Sequence, residues 1–136
     1  MVSLFLAVVL AGVTSLDSKD HTYTTAYKES VAQDKPLMVV VGAEWCQACN
    51  VLKDTTIRPM VQTGELDNVS VAVVDRDAEP ELAKQLTKGE KMLPQIIVFT
   101  KDDSGQWKRE KLMGYQPKQP VRRLVQNAVI TAKSHR

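Results

Sequence analysis

The hydrophobic pattern changes period several times along the chain. Leu37 to Val41 is an unbroken apolar run closed by Gly42, which suits a central strand covered on both faces. Before it, Tyr23 to Gln33 has helical spacing: Tyr23, Ala26, Tyr27, Ser30 and Val31 share one face. Lys35-Pro36 ends that helix, because proline disfavours helical backbone in the residue before it. After residue 46 the spacing is helical again, with Ala48, Val51, Leu52 and Thr55 expected inward and Lys53 and Asp54 solvated. Pro59 is expected to break this helix, and Met60 to Leu66 to form a further short turn.

Val69 to Val74 is rich in β-branched residues and predicts a second strand. Glu79 to Leu86 predicts a short helix with Leu82, Ala83 and Leu86 inward and Pro80 in its first turn. Gln95 to Thr100 is a third strand, Asp102-Asp103-Ser104-Gly105 a hairpin turn, and Trp107 to Met113 the returning strand, although its alternation is imperfect. Gly114 ends that strand. Pro117 to Lys133 is the last helix, with Val121, Leu124, Val125, Ala128 and Val129 as its apolar stripe and Arg122, Arg123 and Lys133 on the solvated side. Strands joined through helices imply parallel pairing with right-handed crossovers, and the final hairpin adds an antiparallel pair. The expected fold class is α/β, a four-stranded mixed sheet flanked by helices.

Composition adds bounds. The chain has 136 residues, enough for one domain, with 43% hydrophobic and 25% charged residues. A net charge of +2, with no Lys/Arg run, argues against nucleic acid as a partner. Val2 to Val13 is almost entirely apolar, and Met1 to Leu16 carries no charged side chain. This run is short for a membrane span and fits the apolar region of a secretory signal peptide, though no Lys or Arg precedes it. An uncleaved anchor and a buried segment are the other readings. The expected organisation is a signal peptide over 1–15, a linker over 16–22 and a folded domain over 23–136. The mature protein is expected to be exported, periplasmic or otherwise extracytoplasmic or secreted, with no stable membrane span after cleavage.

The chemistry gathers at Trp45-Cys46-Gln47-Ala48-Cys49, which holds the only two cysteines of the chain. A C-x-x-C dithiol between a strand and a helix is a redox arrangement. The attacking species is a thiolate, and a helix N-terminus favours negative charge. Cys46 would sit at that terminus and Cys49 one turn further in, more buried. Cys46 is therefore the expected attacking residue and Cys49 the resolving one, passing through a mixed disulfide. Two other readings stand beside this: a structural disulfide, whose small loop would remove little unfolded-state entropy, and a metal site, which needs more ligands than His21 and His135 offer.

Ala43-Glu44-Trp45-Cys46-Gln47-Ala48-Cys49 resembles the active-site segment of thioredoxin-fold proteins, and the order of elements resembles theirs from about Tyr23 to Lys133. Met92-Leu93-Pro94-Gln95 is similar to the family's cis-proline loop. The resemblance implies a cis Leu93–Pro94 bond, substrate binding by the Leu93 backbone beside Pro94, Trp45 bordering the same groove, and Gly114 in a loop near the site. It also implies a thiol–disulfide oxidoreductase that needs no cofactor and no metal, because two sulfurs carry two electrons. Its partners would be cysteine-containing protein substrates and a thiol or disulfide electron partner, with a reductant's role favoured over an oxidant's. Lys35-Pro36 before the strand, and the helix leading into it, resemble exported thioredoxin-like domains such as the periplasmic C-terminal domain of the transmembrane thiol reductase. The rival functions are a non-catalytic binding module with a static disulfide and a metal-delivery dithiol.

There are departures from thioredoxin. Gln47-Ala48 replaces Gly-Pro between the cysteines. Val40 stands where thioredoxin carries a buried acid, and Val73 matches that acid's lysine partner. Glu44 reads either as a solvated loop carboxylate or as the group that moves the resolving thiol's proton. Met92 and Tyr115 flank the expected groove.

Overall fold

The computed structural model describes residues 21–134. The apolar run, the expected cleavage site, most of the expected linker and His135 lie outside the described residues.

Helix α1 (Tyr23–Gln33) starts at Thr22, whose side-chain oxygen accepts the Thr25 N–H at 3.3 Å. It ends at Asp34 in the left-handed conformation, with the Asp34 N–H on Ser30 O. Strand β1 (Leu37–Gly42) is buried along its whole length, as its continuous apolar run requires. Helix α2 (Gln47–Leu52) passes through a π-helical turn (Lys53–Ile57) into α3 (Arg58–Gln62). Strand β2 (Ser70–Asp75), helix α4 (Pro80–Thr87), strands β3 (Gln95–Lys101) and β4 (Trp107–Met113), and helix α5 (Lys118–Ser134) complete the chain. No helix among the described residues is long and apolar enough to cross a membrane.

The sheet order is β2-β1-β3-β4. β1 pairs β2 in parallel, as expected of a helical crossover. β3 corrects the sequence expectation: although a helix leads into it, it runs antiparallel to β1. The reason lies in the connection: α4 ends at Lys88 and Gly89, both with positive φ, and the loop after them brings the chain back to the end of the sheet it left. α4 does not return the chain across the sheet, so β3 enters at the end where β2 left, with Gln95 opposite Val41 and Asp75 opposite Gly42.

β1 divides the core by its alternation. Met38 and Val40 face Leu52, Ile57 and Met60 together with Val121, Leu124 and Val125 of α5. Leu37, Val39 and Val41 face Ala26 of α1 and Ala83 and Leu86 of α4. Full burial of each large apolar side chain contributes about 1.5–3 kcal/mol, so both layers hold β1 in place. β4 reads poorly as a strand because it is the edge: Lys108, Arg109, Glu110 and Lys111 suit an outer strand that must not pair further.

The helix after the cysteines departs from expectation twice. Its inward residues are Cys49, Leu52, Thr56, Ile57 and Met60, while Ala48, Val51 and Thr55 are exposed. Cys49 must face Cys46 and β1, and this sets the rotation of the whole helix. Pro59 does not break it. The proline falls in the first turn of α3, just after the wide turn in which the Arg58 N–H bonds Lys53 O, and its missing donor is tolerated there.

Candidate active site

Cys46 and Cys49 form a disulfide with a Cα–Cα distance of 5.2 Å. Cys46 is the N-cap of α2, in extended backbone, and its Sγ accepts the Cys49 N–H at 3.2 Å. A sulfur in this position faces the unpaired N–H groups of a helix start, which favour its anionic form once the disulfide is reduced. The two cysteines are unequally covered: Cys46 is 8% exposed and Cys49 1%. Ala43 and the half-buried Leu93 complete their apolar seat. Gly42 provides the space beneath. A Cβ built there would lie 3.2 Å from both Cβ and Sγ of Cys49.

Leu93–Pro94 is cis, and Pro94 is buried. Gly114 donates its N–H to Pro94 O at 2.7 Å from a backbone φ of 78°, a conformation that favours glycine. Gln95 fastens the segment before the proline. Fully buried, it donates from Nε2 to Met92 O at 2.9 Å and to Glu90 O at 3.2 Å, while its Oε1 has no partner. The Glu90 carboxyl is held below the usual carboxylate range by its hydrogen bond from Lys111.

Trp45 is 66% exposed but held at two points. Its Nε1 donates to Asp77 Oδ2 at 2.7 Å, and the Arg76 guanidinium lies 5.3 Å from the ring centroid. Arg76 Nη1 also donates to Lys91 O, so one side chain spans from the tryptophan to the proline loop. Asp75 Oδ1 accepts the N–H groups of Asp77 and Ala78 and orders the turn that carries both residues. Met92 and Tyr115 are exposed, and the Tyr115 hydroxyl lies 3.5 Å from Thr55 Oγ1.

Trp45, Cys46, Cys49, Leu93 and Pro94 thus come together. Glu44 stands exposed. Asn50 Nδ2 donates to its backbone oxygen, and among the described residues its carboxylate has no hydrogen-bond or ion-pair partner. His21 lies against the β2 edge, its Nδ1 3.2 Å from Val71 O. No group of three or more His, Cys, Asp or Glu side chains suited to a metal ion comes together among the described residues.

Sequence reasoning missed Arg76, Asp77 and Gln95. Gln95 carried one signal, a polar residue opening an otherwise apolar buried strand. Arg76 and Asp77 carried none, since their partner lies about thirty positions away. Lys53, expected among solvated positions, is half-buried.

Residues 18–127 match the thioredoxin family. A search of the curated proteins finds no match. Among solved structures, a chloroplastic thioredoxin z is 26% identical, with 79% of this chain and 89% of that one covered and a TM-score of 0.57. A Thermus thermophilus thioredoxin is 19% identical, covering 84% and 88%, with a TM-score of 0.69. A Malassezia sympodialis thioredoxin is 20% identical, covering 81% and 88%, with a TM-score of 0.61. The last two speak to fold alone.

Proposed function

The chain belongs to the thioredoxin family, and we propose that it is an exported reductant of cysteine pairs in protein substrates, in which Cys46 attacks and Cys49 resolves. Thiol–disulfide oxidoreductase activity itself follows from the family and its paired cysteines. The order of the two sulfurs is supported by one observation above the others: Cys46 caps a helix and accepts the Cys49 N–H, whereas Cys49 is closed off.

In the reduced protein the Cys46 thiolate attacks one sulfur of a substrate disulfide. A Cys46–substrate S–S bond forms and the other substrate sulfur leaves as thiolate. Cys49 then loses its proton and attacks Cys46 Sγ. The Cys46–Cys49 bond forms, the second substrate sulfur leaves, and two electrons have passed to the substrate. A thiol donor reverses these steps on the enzyme and restores the dithiol. The Leu93 backbone beside Pro94, with Trp45 on the other side, would hold the substrate segment that carries the cysteine. Glu44, exposed beside Trp45, would exchange the Cys49 proton through water.

Export is supported by the apolar run from Val2 to Val13. The reductant's role is supported by the resemblance of the lead-in helix and Lys35-Pro36 to exported thioredoxin-like domains. Equilibration of the Cys46/Cys49 pair with glutathione tests the direction. A potential of about −270 mV fits a reductant, and one of about −120 mV would make the protein an oxidant. Sequencing the N-terminus of the full chain recovered from an expressing cell tests export, with a start at Leu16 expected. A start at Met1 in the cytoplasmic fraction would overturn it.

A further inference from the structure

Cys49 must become a thiolate to resolve the mixed disulfide, yet it is the more buried cysteine and burial disfavours that charge. Val40 and Val73, register partners on β1 and β2, offer it no ionisable neighbour. One cation approaches from its own helix. Lys53 lies four residues after Cys49, a spacing that places both on one helix face, and its N–H bonds Cys49 O. The absent side chain of Gly42 leaves a notch that both residues share. Lys53 Cε lies 4.0 Å, and Cys49 Sγ 3.2 Å, from the point a Cβ would take there. Lys53 Cε and Cys49 Sγ are therefore no more than about 7 Å apart, with the ammonium one bond beyond Cε, a range over which a charge still acts in a half-buried site.

Lys53 is also uncommitted. It is half-buried, and among the described residues its ammonium makes no hydrogen bond or ion pair. The surrounding charges are engaged elsewhere or face solvent. Asp54 pairs with Arg58 at 2.9 Å, Asp77 accepts from Trp45, and Arg76 lies over the Trp45 ring. Glu44 and Lys91 are exposed on the turn before Trp45 and on the loop before Pro94. Leu93, which closes the seat, is apolar.

We infer that Lys53 stabilises the Cys49 thiolate during resolution, as a positioning charge in a site whose two strand positions are filled by valines. The inference rests on the assignment of Cys49 as the resolving residue. The Cys49 proton leaves through water, as in the route through Glu44 above, and Lys53 takes no part in the transfer. Its effect is on how readily the second sulfur ionises.

The test places Cys49 alone by Cys46→Ser and follows its ionisation through the ultraviolet absorbance of the thiolate. At a pH below both midpoints, Lys53→Gln should lower the thiolate fraction about tenfold, one unit of pKa, and Lys53→Arg should restore most of it. Superimposed titrations of the Lys53 and Gln forms would overturn the inference. Should Cys46→Ser not fold, judged by circular dichroism, the pH–rate profile of the resolution step serves instead, followed in a single turnover as release of substrate from the Cys46 mixed disulfide of the two-cysteine protein. Lys53→Gln should move its rising limb to higher pH and Lys53→Arg should not, and an unmoved limb overturns the inference. The assignment of roles fails separately, if Cys46→Ser rather than Cys49→Ser accumulates the mixed disulfide with substrate.

Discussion

Val40 of β1 and Val73 of β2 are direct partners across the parallel pair, so the two positions that hold an acid and a lysine in thioredoxin face each other here as two aliphatic side chains. Val40 is fully buried against the core layer beneath the dithiol helix. Val40→Asp would place a carboxylate there with no partner, and unfolding in urea should show a loss of about 3 kcal/mol or more. Adding Val73→Lys should recover part of that loss, because the register sets the two side chains beside each other. A double variant as unstable as Val40→Asp alone would show that the strands do not bring them together.

Gly42 carries the packing of the second sulfur. A methyl at this position would meet Cys49 Cβ and Sγ at 3.2 Å. Gly42→Ala should cost about 1–3 kcal/mol by overpacking, and the loss should shrink when Cys49→Ala removes the sulfur. A double-mutant cycle on thermal unfolding measures that coupling.

Gln95 is a second point of leverage outside the dithiol. Its amide ties Glu90 O and Met92 O, and the other buried polar residue of β3, Thr100, lies at the far end of the strand. Gln95→Leu should leave both carbonyls without their donor, costing about 1–3 kcal/mol. Because the proline loop would loosen while the cysteines stay in place, KM for a protein disulfide should rise more than kcat falls.

Asp77→Ala should release the Trp45 ring from its 2.7 Å hydrogen bond, leaving the Arg76 contact alone. Tryptophan emission should change, and kcat/KM for a protein substrate should fall several-fold, about 1 kcal/mol for one solvent-exposed hydrogen bond. An unchanged kcat/KM would remove Trp45 orientation from the mechanism.

The hairpin gives a pH dependence at the far end of β3. The Asp102 carboxyl is held below its ordinary value first by the Ser104 hydroxyl, then by the Gln106 backbone N–H. A depressed carboxyl stabilises the fold above its unfolded pKa, and that contribution is lost as pH falls through the lower folded value. Asp102→Asn should therefore flatten the acid limb of stability against pH and leave stability in mildly alkaline solution less sensitive to pH. Urea midpoints measured across the acid range check it.

Much of this molecule is local information. The unbroken run from Leu37 to Val41 places β1 at the centre of the sheet, because such a strand must be covered on both faces. The Cys46/Cys49 spacing, with a strand before it and a helix after it, identifies the redox pair without any distant contact. What the tertiary structure decided depends on residues far apart in the chain. The reversal of β3 follows from the turn after α4, which brings the chain back to the end of the sheet it left. The rotation of α2 follows from Cys49 having to meet both Cys46 and Gly42. Arg76 and Asp77 reach Trp45, and Lys53 reaches the notch beside Cys49, only once β1, β2 and the dithiol helix are packed. Periodicity reports which face of an element is covered, but a charge set against a sulfur or an indole obeys distance in space.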